Sequence, residues 1–168
     1  DECMIKIDQK YGDLLLNLIQ KNFNTLNKFL QKSNVNEKSI KQIRKNLPIR
    51  IVTFKKILDT LKIDYIECEG YVTHIGGSKY FFPVKFPINL DNIFSVRLAG
   101  AFLSDGCNNI QHPFYSNLGY LGDKILNAAL NLCPNLPWEV HRGEKLRFHP
   151  ILGRILIKLG VPYGRKVS

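Results

Sequence analysis

The sequence predicts an α+β fold: an antiparallel β-sheet with helices packed on it, preceded by an N-terminal helical segment. Three features say so. Apolar residues recur at helical spacing up to Leu61, the period changes to two at Tyr71, and strand-like and helix-like stretches alternate from there onward. We place the helical segment at residues 1–65 and the sheet-bearing domain at 66–168. A chain of 168 residues accommodates one domain plus a small module.

Leu15, Leu18, Ile19, Phe23, Leu26, Phe29 and Leu30 form one helical stripe from Asp13 to Gln31. Asn36, followed by Glu37 and then Ile40, Ile43 and Leu47, reads as an N-capped second helix that Pro48 ends. Thr53 can cap a third, with Phe54, Ile57, Leu58 and Leu61 on one side. Helix, Pro-bearing connection and helix fit a helix-turn-helix with Lys55, Lys56 and Lys62 free to meet phosphate. A small helical bundle with solvated lysines fits as well.

Tyr71–Ile75 and Ser78–Phe86 flank Gly76-Gly77, a two-residue hairpin signal. Tyr80, Phe82, Val84 and Phe86 share one face; Lys79, Phe81, Pro83 and Lys85 share the other, and Pro83 assigns this strand to a sheet edge. Pro87–Asn92 then turns the chain into an apolar helix that ends in Leu98-Ala99-Gly100-Ala101-Phe102-Leu103-Ser104-Asp105-Gly106. Gly100 and Ser104, one turn apart, leave a stripe that a second helix backbone can approach closely. Gly106 is expected to be the left-handed residue that ends the helix. Asp105 then falls in the last turn, where the helix dipole is already negative. Pairing two such helices would oppose two carboxylates, and a divalent cation such as Mg2+ is the simplest compensation.

Downstream, a strand is expected at Pro113–Asn117, a helix at Gly122–Cys133, a hairpin at Trp138–His149 and a helix at Leu152–Leu159. Trp138, Val140, Leu146 and Phe148 share the apolar parity of that hairpin, with Trp138 in the core. Glu139, His141, Lys145, Arg147 and His149 share the other, with Gly143 near the turn. Together the two hairpins suggest one concave sheet with a cationic side, a shape that can lie in a DNA major groove.

A formal charge of +10, from 24 Lys and Arg against 14 Asp and Glu, suits a polyanionic partner; ordinary solubility is the other use for it. No apolar run approaches the roughly 18 residues of a membrane span, so no membrane partner is expected and a cytoplasmic, DNA-associated location is. Cys3, Cys68, Cys107 and Cys133 are too scattered for a zinc site and read as free thiols. His74, His112, His141 and His149 have no shared ligand spacing, and His112 and His149, each beside a proline, read as turn or surface residues.

The stretch Leu98–Gly106 resembles the LAGLIDADG motif of homing endonucleases. It matches at Leu98, Ala99, Gly100, Asp105 and Gly106 and departs at Leu103, where many members carry a second acid. The element order that follows, and the close at Leu159–Lys166, resemble the archaeal, rRNA-intron-encoded type from about Tyr71 to Ser168. The resemblance implies a site-specific DNA endonuclease in which Asp105 binds Mg2+, the Ser104 carbonyl is a minor ligand, and Lys166 stands near the scissile phosphate. It also implies cleavage that leaves staggered 3′ overhangs. Contacts to the double-stranded target are expected from Lys79, Lys85, Arg142, Lys145, Arg147 and Arg165.

One motif supplies one aspartate where the reaction wants two. A homodimer through Leu98, Gly100, Ala101 and Ser104 is therefore expected, unless a second half follows Ser168 in the natural product. Two other readings remain open: a maturase that binds its host intron RNA, and a non-cleaving DNA-binding regulator of the WhiA type. The retained Asp105 favours cleavage.

Overall fold

A computed structural model describes residues 3–77, 81–109 and 111–164, and the chain divides into two units, Asp1–Pro87 and Ile88–Ser168. The boundary lies well beyond the expected one at 65/66. The reason is a strand that the apolar pattern did not reveal. β1 (Met4–Ile7) pairs antiparallel with β3 (Val72–Gly76), matching Met4 with Gly76 and Ile5 with Ile75. The first hairpin therefore belongs to the N-terminal unit, and the two hairpins lie in separate sheets rather than in one concave surface.

In the first unit, Asp8 caps α1 (Gln9–Phe23), its carboxylate accepting from the backbone N–H of Lys10 and Tyr11. The expected single helix over 13–31 is two. Asn24 takes a positive φ of 58°, and the Thr25 hydroxyl caps α2 (Leu26–Ser33). Asn34, in the left-handed region (φ 51°, ψ 42°), ends α2; Val35 is buried; and Asn36 caps α3 (Glu37–Arg44) through a 2.9 Å bond from Ser39 N. After Pro48 comes β2 (Ile49–Arg50), paired with β1, and then α4 (Ile51–Leu61), which starts two residues before Thr53. A strand between α3 and α4 rules out a tight helix-turn-helix there. Nor are its lysines idle: Lys55 Nζ sits over the Tyr65 ring and Lys56 Nζ donates to the Asn34 carbonyl.

A short α5 (Tyr65–Glu69) leads into β3 and β4 (Phe81–Pro83), giving the antiparallel order β2-β1-β3-β4. Pro83 does lie on an edge strand. Gly76 pairs with Phe81, so it is a strand residue and Gly76-Gly77 is not a two-residue turn. Leu15, Phe29, Ile40, Ile57 and Leu58 fill the core, and Tyr11 stacks on Tyr71 at 4.2 Å. An apolar cavity of about 310 Å³ opens among Ile5, Phe54, Leu58, Val72 and Ile75.

The second unit runs α6 (Ile93–Ser104), β5 (Gly106–Cys107), β6 (Phe114–Tyr115), α7 (Tyr120–Leu132), β7 (Trp138–His141), β8 (Lys145–Phe148) and α8 (Pro150–Lys158). Its antiparallel sheet has the order β5-β6-β8-β7. Leu98, Phe102, Ala128, Leu146, Phe148, Leu152 and Leu156 form the core. Trp138 shares the parity of Phe148 but is 44% exposed, not in the core. It stands on the edge strand β7, where the packed helices no longer cover the sheet. All four cysteines are free thiols, Cys68 and Cys133 buried. Among the described residues no helix is long and apolar enough to cross a membrane.

His149 is neither a turn nor a surface residue: it caps α8, its Nδ1 accepting from Ile151 N at 3.3 Å. Burial, with the charges of His112 and Arg154 beside it, holds its pKa down at about 4. The unfolded chain therefore takes up this proton near pH 6.5 while the native chain does not, so the stability His149 confers is complete above pH 6.5 and is lost between there and pH 4. The loss is on the order of 2–3 kcal/mol. Denaturant midpoints measured from pH 7 down to pH 4.5 should fall in the natural chain. They should fall much less in His149→Asn, which keeps a capping oxygen but cannot titrate.

Candidate functional site

The site is built where α6 stops. Asn92 starts that helix, its Oδ1 accepting from the N–H of Phe94 and Ser95. Leu98 and Phe102 point into the core, and Phe102 packs against Tyr115 and Phe148. Leu98 is thus a core residue and not an interface one: it shares the buried face of α6 with Ser95 and Phe102. Gly100 and Ser104 lie exposed, and Ala101 is half-buried beside them.

Gly106 differs from expectation in an instructive way. It has no positive φ; what excludes a side chain is proximity. A Cβ there would stand 2.6 Å from Phe102 Cδ1 and 2.7 Å from Phe102 Cα. β5 folds back so tightly on the last turn of α6 that only glycine passes. Asp105 sits in the corner between helix and strand, its N–H donating to the Ala101 carbonyl at 2.9 Å and its side chain exposed. It forms no ion pair among the described residues. Its charge is felt by Tyr115, whose phenol is raised by burial first and by Asp105 second.

Nothing in the residue pattern singles out Asn108. It is 1% exposed, and its amide donates to the carbonyls of Gly153 in α8 (3.2 Å) and Val161 beyond it (3.0 Å). Its own carbonyl accepts from Gly164 N at 3.0 Å, and Cys107 Sγ lies 3.7 Å from the Gly164 carbonyl. Two donors and one acceptor of a single residue therefore tie the end of the described chain to β5, three residues from Asp105. Among the described residues the Asn108 Oδ1 has no hydrogen-bond partner, and it faces Gly153, where a Cβ would approach to 2.8 Å.

On the face of the sheet opposite the helices, Arg147 Nε meets Glu139 Oε1 at 3.1 Å and a second guanidinium nitrogen lies 3.4 Å from His141 Nδ1. Lys145 Nζ sits 4.6 Å from the centre of the Phe114 ring. Arg142 occupies the β7–β8 turn with φ 54°, exposed. These three cations are brought together on one hairpin. Lys85 is exposed in the other unit, away from that hairpin in sequence and sheet; Lys79, Arg165 and Lys166 fall outside the described residues.

The donor set suits a hard cation in kind but not in number. Asp105 offers one carboxylate, and the Ser104 carbonyl stands next to it in the chain. Among the described residues no three His, Cys, Asp or Glu side chains converge. One chain supplies half of a Mg2+ site at most.

Two substitutions check this architecture. Gly106→Ala should cost about 1–3 kcal/mol, because Phe102 is fixed by backbone and core alike. Asn108→Asp, equal in shape, exchanges both donors for an acceptor facing two carbonyls and should cost at least about 2 kcal/mol. Denaturation of each variant would read the loss. No protein-family model, curated protein or solved structure matches the chain.

Proposed function

We propose that the chain is one subunit of a LAGLIDADG-type homing endonuclease, a Mg2+-dependent hydrolase that cuts both strands of a specific DNA site as a homodimer. The observation that carries this reading is Gly100. A Cβ there would meet nothing within 4 Å in its own chain, and glycine inside a helix costs about 1 kcal/mol relative to alanine. Nothing in the subunit requires it. The same helix face leaves Ile93 and Val96 63% and 67% exposed and Leu103 45% exposed, an apolar stripe running toward Asp105. A second copy of α6 laid along that stripe explains both the missing side chain and the uncovered apolar ones. The order α6–β5–β6–α7–β7–β8–α8 and the cationic hairpin support the reading further.

In this reading the two copies of Asp105 hold the ions, with the Ser104 carbonyls as secondary oxygens. A bound Mg2+ would neutralise charge at phosphorus and lower the pKa of a water. The protein's own part is placement. Gly106 fixes the corner on which Asp105 stands, Arg142, Lys145 and Arg147 hold the backbone of the duplex, and the Asn108 tether anchors the chain two residues before Lys166, the proposed phosphate-side cation. Cleavage leaves staggered 3′ overhangs. A host-intron maturase would use the same basic face for RNA.

Cleavage is tested by selection from a randomised duplex library with Mg2+. The natural chain should enrich one family of cut sites, whereas Asp105→Asn should bind those sites and cut them at least about a hundredfold more slowly. Equal cutting by both would overturn the assignment of Asp105. Gly100→Phe has room in its own chain, so it should fold, remain monomeric by light scattering on DNA, and fail to cut; undiminished cutting would remove the α6 face from the dimer.

A further inference from the structure

The densest positive charge in the chain is not on the sheet. Between Lys21 and Lys56 stand ten lysines and arginines and a single acid, Glu37. The flanking stretches of the same unit carry the acids, with Asp8 and Asp13 before it and Asp59, Asp64, Glu67 and Glu69 after it. The basic stretch also contains two short links between helices. α2 and α3 are joined by Asn34, Val35 and Asn36 alone, and each has a definite task. Asn34 turns the chain in the left-handed region, Val35 plugs the core, and Asn36 caps the next helix. Lys56 Nζ braces the turn from α4 by donating to the Asn34 carbonyl.

Burial separates the two faces of this pair. Phe29, Ser33, Val35, Ile40 and Ile43 are turned inward, and α1 packs on both helices, so closely against α3 that a Cβ on Gly12 would lie 3.3 Å from Ile43 Cγ2. Lys38 and Lys41 lie on α3 and Lys45 at its C-cap, at spacings of three and four, all exposed, with Gln42 half-exposed between them. Among the described residues only Lys41 of these has an ion-pair partner, Glu37 at 2.9 Å, on the surface where such a pair contributes little. Three helices, a three-residue turn and an outward basic face on the last helix are the parts of a DNA-reading helix-turn-helix.

We infer that α2 and α3 form a helix-turn-helix that seats α3 in the major groove of double-stranded DNA, a second nucleic-acid surface distinct from the β7–β8 hairpin. The B-form major groove is about 12 Å wide and admits a helix, whereas that of A-form RNA is too deep and narrow, so DNA is the partner. Lys38 and Gln42 face base edges and Lys41 and Lys45 face phosphates. The inference stands on the first unit alone and does not require that Asp105 cut.

The test uses the full chain and a random-sequence duplex several helical turns long, followed by fluorescence anisotropy across a salt series. Lys38→Ala/Lys41→Ala/Lys45→Ala, on exposed positions, should keep its circular dichroism, lose about tenfold or more in affinity, and flatten the log–log salt slope by about two. A control that removes as much charge elsewhere, Lys10→Ala/Lys124→Ala/Lys158→Ala, should lose less than about threefold. Equal losses in the two triples would overturn the inference, and so would an RNA duplex that competes as well as DNA. Asp105→Asn should bind like the natural chain here, so failure of cleavage and failure of this surface are separately visible.

Discussion

No atom larger than hydrogen can stand where the side chain of residue 106 would be, and the candidate site depends on that exclusion. Phe102 causes it. The same ring packs on Tyr115 and Phe148 in the core of the second unit, so it cannot swing away to admit a methyl group at 106. Because the interior holds Phe102, β5 can press against the final turn of α6; because β5 is pressed there, α6 must end at Ser104 and expose Asp105. From β5 the consequences continue. Asn108 follows one residue later and binds α8 through Gly153 and the chain beyond it through Val161 and Gly164. Core packing and the position of a solvent-facing carboxylate are thus one constraint.

A helix whose exposed face is, Arg97 apart, largely apolar like its buried one is at odds with a single-chain fold. α6 buries Leu98 and Phe102 yet presents Ile93, Val96 and Leu103 to solvent. Burial of such side chains is favourable by roughly 1.5–3 kcal/mol each, so the exposed stripe represents several kcal/mol that the subunit leaves unrealised. Scattered exposed apolar residues need no explanation, but a line of them at helical spacing that passes over a glycine does. The fold accounts for Gly106, Gly122 and Gly153, each of which would place a Cβ within 3 Å of a neighbour. It does not account for Gly100. That contrast is what the proposed pairing of two α6 helices would explain.

The long elements were legible because their periods are long enough to register. α7, the β7–β8 hairpin and α8 all lie within a few residues of where the apolar spacing puts them, and Pro83 marks an edge strand because it lacks an N–H. What escaped is physically of another kind. β2 and β5 are two residues long and have no period to detect, and β1 gains its strand identity from partners distant in sequence, β3 and β2. The break between α1 and α2 was written in Asn24-Thr25, a residue tolerant of positive φ followed by a capping hydroxyl, but an unbroken apolar stripe hid it. Trp138 was misplaced because parity assigns a face and not the extent of cover over it. Nothing in the sequence marks Asn108 out; only burial and its hydrogen bonds reveal it as a three-point tie.

The two basic surfaces are physically unlike. On the hairpin, Glu139 positions Arg147 and the Phe114 ring holds Lys145, so these charges are ordered before any ligand arrives and lose little side-chain entropy on binding. Partial neutralisation weakens their pull but sharpens their placement. The lysines of α3 are the reverse: exposed, with one surface ion pair among them, strong in long-range attraction and costly to immobilise. Counterion release rewards such charges for any duplex, whatever its sequence. Preordered groups reward only a duplex whose contours fit them. On the proposed reading, α3 would govern how readily the chain finds DNA, and the β7–β8 hairpin which contours of it are held.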